Sequence, residues 1–212
     1  VPHEPLHRPP HRRLPLPLHA LLLQVQAPGI LLVVLSLVAI SANKPLLKEL
    51  FAMIDEKGLR WPNFNIEIKS RRKGDHVYHP GPKKFAALVV ETLNELNEAY
   101  PKADVLNKVS IQSFDLRALR EVRKTALQVK LCLLVENTAD PAKEMDALGF
   151  PVDIYSPSYE LVTPELISWC HFRQIAVIPW TVNELDEMQE LVDMGVDGLI
   201  SDYPDRFNLL VY

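Results

Sequence analysis

Residues 63–69, "NFNIEIK", set an amide, a carboxylate and an ammonium at every second position: Asn65, Glu67 and Lys69. Side chains alternate along a strand, so these three share one face and Phe64, Ile66 and Ile68 share the other. On a surface sheet such a polar face meets water and means nothing. On a strand lining a barrel it points inward, and a carboxylate beside an ammonium there can bind a hard metal ion and a phosphate oxygen. Two further strand ends carry usable groups: Gln112 and Ser113 in "KVSIQSF", and Trp180 with Asn183 in "IAVIPWTVN". Each has a plainer role as well. Glu67 and Lys69 would serve as a surface ion pair, Gln112 and Ser113 would satisfy loop backbone, Trp180 would be core, and Asn183 is first a helix cap. Acid/base catalysis needs a group such as histidine within reach. His76 and His79, in "DHVYHPGP", lie beyond the same strand end as Glu67 and either reach the site or sit as exposed loop residues.

The elements that must position these groups alternate along the chain. Residues 44–58 show helical spacing of Leu46, Leu47, Leu50, Phe51 and Ile54, with Gly58 as the C-terminal cap. Helices are predicted at 82–100, 115–126, 141–149, 163–174 and 183–195, opened by Pro82, Asp115, Thr163 with Pro164, and Asn183. Strands are predicted at 63–69, 108–114, 129–136, 152–157, 175–182 and from 196 onward. Strands separated by helices imply parallel crossovers and a parallel sheet. An open doubly wound sheet and a (β/α)8 barrel both fit that order, and the lack of a glycine-rich phosphate loop weakens the first.

The 212 residues, 48% hydrophobic and 24% charged, are globular in character. A net charge of -4 gives no support to nucleic-acid binding. Cys132 and Cys170 are too few and too far apart for a disulfide framework, and their apolar neighbours suit buried thiols. Composition changes near residue 43. Residues 1–42 hold seven prolines, four histidines and three arginines but no lysine or aspartate. That segment reads as signal-like or as sequence not native to the fold. Its apolar run, residues 29–40, is short of the roughly 20 residues a stable membrane span needs. The domain proper is residues 43–212. The compartment stays open between periplasmic or secreted and cytoplasmic.

Taken together and in order, "KPLLKEL", "FNIEIKS", "VSIQSFD", "DIYSPSYELVTPELI", "VIPWTVN" and "MGVDGLISDYPD" resemble the bacterial branch of the glycerophosphodiester phosphodiesterases, over residues 43 to about 206. The resemblance implies a TIM-type barrel that hydrolyses glycerophosphodiesters, such as deacylated phospholipids, to sn-glycerol 3-phosphate and an alcohol. It implies one divalent cation, Mg²⁺ or Ca²⁺, bound by a Glu and an Asp on the second strand and a Glu on the third. Of those ligands Glu67 matches the third-strand one. Lys69 matches a lysine facing the phosphate, and Trp180 an aromatic position near the substrate. The family's His-Arg-Gly, Pro-Glu-Asn-Thr and Glu-x-Asp motifs have no counterpart in this sequence. "HEP" at residues 3–5 matches its second histidine motif, which makes His3 an acid/base residue protonating the leaving oxygen. The expectation is therefore an incomplete barrel whose first two βα units are missing or replaced. Its function is metal-dependent phosphodiester hydrolysis or, alternatively, binding of a ligand or partner without turnover, with a homodimer through exposed sheet edges.

Overall fold

The computed structural model of the protein describes residues 44–211. Helix α1 (Lys44–Glu56) buries Leu47, Leu50, Phe51 and Ile54, the inward stripe that their spacing dictates. It ends at Gly58, whose φ of +62° lets the Gly58 and Leu59 amides bond back to the Asp55 and Ile54 carbonyls. Strand β1 (Phe64–Glu67) follows, then α2 (Pro82–Ala99), the one-turn α3 (Val105–Lys108) and β2 (Val109–Ser113). After these come α4 (Leu116–Thr125), β3 (Lys130–Val135), α5 (Pro141–Leu148), β4 (Ile154–Pro157), α6 (Pro164–Phe172), β5 (Ala176–Val177) and α7 (Leu185–Met194). The predicted caps Asp115 and Thr163 accept from the Arg117 and Leu166 amides, as helix-opening side chains should.

The strands pair in parallel, in the order β1-β2-β3-β4-β5. Sequence order across the sheet, with crossovers of one hand, keeps the helices on one face. That is the arrangement of a partial (β/α) barrel, and a doubly wound sheet would reverse order partway. The outward face is hydrophobic: Phe64, Ile66, Val109, Ile111, Leu131, Leu133, Tyr155 and Val177 form one core with α1, α2, α4 and α6. The inward face is separate. It holds an apolar cluster of Cys132, Ile154, Ile178 and Ile200, beside buried Asn65, Glu67, Ser110, Gln112 and Ser156. Cys132 and Cys170 are free and buried, and burial pushes each thiol up to about 12.

Two expectations require correction. The sixth predicted strand is not a ladder strand. Its Asp197 and Ile200 amides bond to the Val177 and Pro179 carbonyls, so it runs beside β5 without regular pairing. The β5 segment stays hydrogen-bonded to β4 past Pro179, through the Trp180 amide to the Pro157 carbonyl, while Pro179 has no N–H to offer the sixth segment. Asn183 is not the cap of α7, for Glu184 holds that position without a side-chain bond. The Asn183 side chain instead accepts from the Asp202 amide at 3.1 Å and donates to the Asp202 carboxylate at 3.0 Å, tying the last loop to the sheet.

Candidate active site

All four residues of β1 are buried, so its polar face is turned to the interior and not to water. The register sets Asn65 beside Ser110 and Glu67 beside Gln112. The Ser110 hydroxyl donates to Asn65 Oδ1 at 2.9 Å, and the Asn65 amide donates to Gln112 Oε1. Gln112 lies beside Glu67 across the register and favours its charged form. An unpaired carboxylate in this place would be costly, and Lys69 and Gln112 offset part of that cost. Lys69 Nζ lies 3.6 Å from Glu67 Oε2, with the lysine side chain 44% exposed and the glutamate 6%. Burial pushes the Glu67 carboxyl above its ordinary range, against the pull of Lys69 and Gln112. The pair therefore spans the boundary between interior and mouth, a buried carboxyl capped by a wet ammonium.

Ser113 does what its plainer reading said. Its hydroxyl donates to the Ile68 carbonyl at 2.7 Å and accepts from the Asp115 amide at 3.0 Å. Gln112 does not serve loop backbone but belongs to the interior network. Trp180 is half-buried at the end of β5's path and donates from Nε1 to the Ser156 carbonyl at 2.8 Å. Its ring meets Phe114 edge-on, with centroids 5.3 Å apart at 88°. Phe114, 45% exposed, was not singled out from the sequence. The signal was present, since it falls two residues beyond Gln112 and so continues the same strand face.

The histidines are used by their own loop. His79 accepts from the Arg71 amide at 3.1 Å and bonds the Pro80 carbonyl at 2.8 Å, and His76 is exposed. Behind that loop Arg117 bridges Asp75 at 2.6 Å and Asp115 at 2.7 Å, while Ser70 donates to Asp115 at 2.9 Å. The bonds from Arg117 hold the Asp75 carboxyl below the usual range. This network locks the exit of β1 to the exit of β2, and so fixes where Lys69 and Phe114 stand. His3 lies outside the described residues.

Among the described residues no three of His, Cys, Asp or Glu come together as a metal-holding group. Glu67 stands as one carboxylate with a lysine at its side, and the oxygens of Asn65 and Gln112 are already accepting from Ser110 and Asn65. A hard divalent ion takes six or more oxygens. The described residues alone do not fit such an ion.

The sequence pattern of the Glycerophosphoryl diester phosphodiesterase family matches residues 36–206. The chain belongs to that family. A glycerophosphodiester phosphodiesterase of Caldanaerobacter subterraneus subsp. tengcongensis is 31% identical over 170 residues, 79% of this chain and 61% of that protein. One from Bacillus altitudinis is 27% identical, over 76% of this chain and 60% of its own length. The chain thus spans about three fifths of the curated relatives it matches. A crystal structure from Silicibacter pomeroyi, described as a glycerophosphoryl diester phosphodiesterase, superposes with a TM-score of 0.61 at 25% identity, covering 76% of this chain and 53% of that one. An Oleispira antarctica phosphodiesterase, solved in complex with the product sn-glycerol-3-phosphate, shares the fold at a TM-score of 0.58 and 16% identity, over 77% of this chain and 59% of that one. The curated relatives are named glycerophosphodiester phosphodiesterases, and the five-stranded parallel sheet seen here matches part of the barrel of the solved ones. Among the described residues no helix is long and apolar enough to cross a membrane.

Proposed function

We propose that this chain serves the hydrolysis of glycerophosphodiesters, lipid-derived compounds among them, to sn-glycerol 3-phosphate and an alcohol, with a divalent cation, Mg²⁺ or Ca²⁺, taking part. One observation carries the reading: a buried carboxyl, Glu67, supported by Gln112 and standing 3.6 Å from the exposed ammonium of Lys69 at the open end of a parallel sheet. In this reading the Lys69 ammonium binds and neutralises a phosphate oxygen. Glu67 offers one carboxylate toward the cation, and the other ligands come from outside the described residues, from substrate or from water. Trp180 and Phe114 give an apolar wall against which carbon of the substrate rests. His3 is the proposed acid that protonates the leaving oxygen.

The test is release of sn-glycerol 3-phosphate from glycerophosphocholine, with and without added Mg²⁺ or Ca²⁺. Lys69→Met is expected to lower kcat/KM by roughly a hundredfold, the size of effect seen when one preorganised charge-stabilising group is removed. Glu67→Ala is expected to abolish the dependence on added cation. If the parent chain shows no cation-dependent turnover at all, the hydrolase reading fails for this chain.

A second reading has its own observation in the single carboxylate, which suits binding of a phosphate compound without turnover. Among the described residues no strand pairs with β1 on the side away from β2, and an unpaired edge is a template for another strand. The second reading accordingly joins two copies through that edge. Phosphate-ester binding without turnover, with sedimentation as a dimer, supports it; turnover by a monomer overturns it.

A further inference from the structure

The loop joining β1 to α2 concentrates positive charge in a chain of net charge -4. Lys69, Arg71, Arg72, Lys73, Lys83 and Lys84 lie within residues 69–84, against the single acid Asp75, which Arg117 already engages. Arg71, Arg72, Lys73, Lys83 and Lys84 are exposed, and none of their side chains has an ion-pair partner among the described residues. Lys83 and Lys84 stand in the first turn of α2, where no acidic residue offsets them and the helix end is itself positive. They do not stabilise that helix.

Between the two basic groups the loop holds out an apolar tip. Val77 is 71% exposed and Tyr78 73%. The tip is braced: the Val77 and Tyr78 amides both bond to the Gly74 carbonyl, at 3.1 and 3.0 Å, and the His76 amide bonds to the His79 carbonyl at 2.8 Å. Gly74 and Gly81 let the histidine rings close over the backbone, since a Cβ at either would come within 2.9 Å of a ring atom. A soluble polyanion would need the cations alone. Two adjacent apolar side chains held out by a hydrogen-bonded turn and ringed by cations suit an interface that is anionic at its surface and hydrocarbon beneath it. Tyrosine in particular favours such a boundary, with its ring in the apolar side and its hydroxyl in the wet one.

We infer that the residue 71–84 loop docks this protein on anionic lipid surfaces. Because the loop leaves the C-terminal end of β1, docking turns Glu67 and Lys69 toward the headgroup layer. The inference stands on the loop and holds whether or not the chain turns over substrate.

Co-sedimentation of the whole chain with vesicles tests it, comparing phosphatidylcholine alone with equal parts phosphatidylcholine and phosphatidylglycerol. Binding is expected to the anionic vesicles only, falling as salt is raised. The triple variant Arg71→Gln, Arg72→Gln, Lys73→Gln should lose roughly fivefold in partition per cation removed, on the order of a hundredfold in all. Val77→Ser with Tyr78→Ser should lower partition at least several-fold with all cations retained, and both variants should keep the parent's circular dichroism. Two results overturn the inference. One is partition that the triple variant leaves unchanged. The other is partition that depends on the cations but not on Val77 and Tyr78, with equal binding to dextran sulfate, which makes the loop a general polyanion site.

Discussion

At the scale of single residues, Glu67 shows the conflict between site and stability. The folded interior raises its pKa above the unfolded value, chiefly through burial. The folded chain therefore takes up the proton more readily, and the stability linked to this group is fully present below the unfolded carboxylate range and is lost as pH rises through the folded pKa. Glu67→Gln removes the charge and retains an amide that Gln112 can still meet. The variant is expected to be more stable than the parent at neutral pH by about 0.5–2 kcal/mol, the usual gain when a costly functional residue is relieved. The difference should shrink as pH falls through that window, measured by urea unfolding at several pH values. A variant that is less stable than the parent at neutral pH would show that the Lys69 and Gln112 contacts outweigh burial. Asn183 teaches the converse lesson. Its position before a helix marked it as a cap, yet its partners, Ser201 and Asp202, lie 18 and 19 residues along the chain, where local spacing has no reach.

At the scale of elements, α1 is held to the sheet by aromatic packing. Phe51 is fully buried, with its ring stacked on Phe64 at 4.7 Å and tilted against Trp61 at 5.4 Å. Phe51→Ala should cost about 3–5 kcal/mol, the loss typical of a buried phenylalanine that leaves a cavity behind. Denaturant unfolding checks it, and a cost under about 1 kcal/mol would mean that α1 contributes little to the core. The helices and the caps Asp115 and Thr163 were legible because period and capping chemistry are local. Boundaries moved by a residue or two, as terminal turns do. The strand at residues 175–182 was readable in its apolar content but not in its length: regular pairing stops at Val177, although the Ile178 and Trp180 amides still bond to the Tyr155 and Pro157 carbonyls of β4.

At the scale of the whole molecule, one outward core runs from Leu47 in α1 to Leu210 beyond α7. A single contiguous core predicts one cooperative unfolding transition. Tryptophan fluorescence, which reports Trp61, Trp169 and Trp180, and far-ultraviolet circular dichroism should give the same midpoint, and separate midpoints would mean that α1 and β1 unfold apart from the rest. The sequence by itself determined the alternation of strands and helices, the parallel sheet and the family, because hydrophobic period and motif order are properties of the chain taken a few residues at a time. It also placed Glu67 and Lys69 on one face of a strand. Whether that face met water or the interior was open, since a period of two is the same in both cases. The tertiary structure decided it: strands laid in sequence order put every helix on one side, so Asn65, Glu67, Ser110 and Gln112 were left to satisfy one another on the other. It also decided that Phe114 stands against Trp180, because that contact joins segments that only the folded sheet brings together, and that His79 braces its own loop, because which way a loop side chain turns is not written in its spacing.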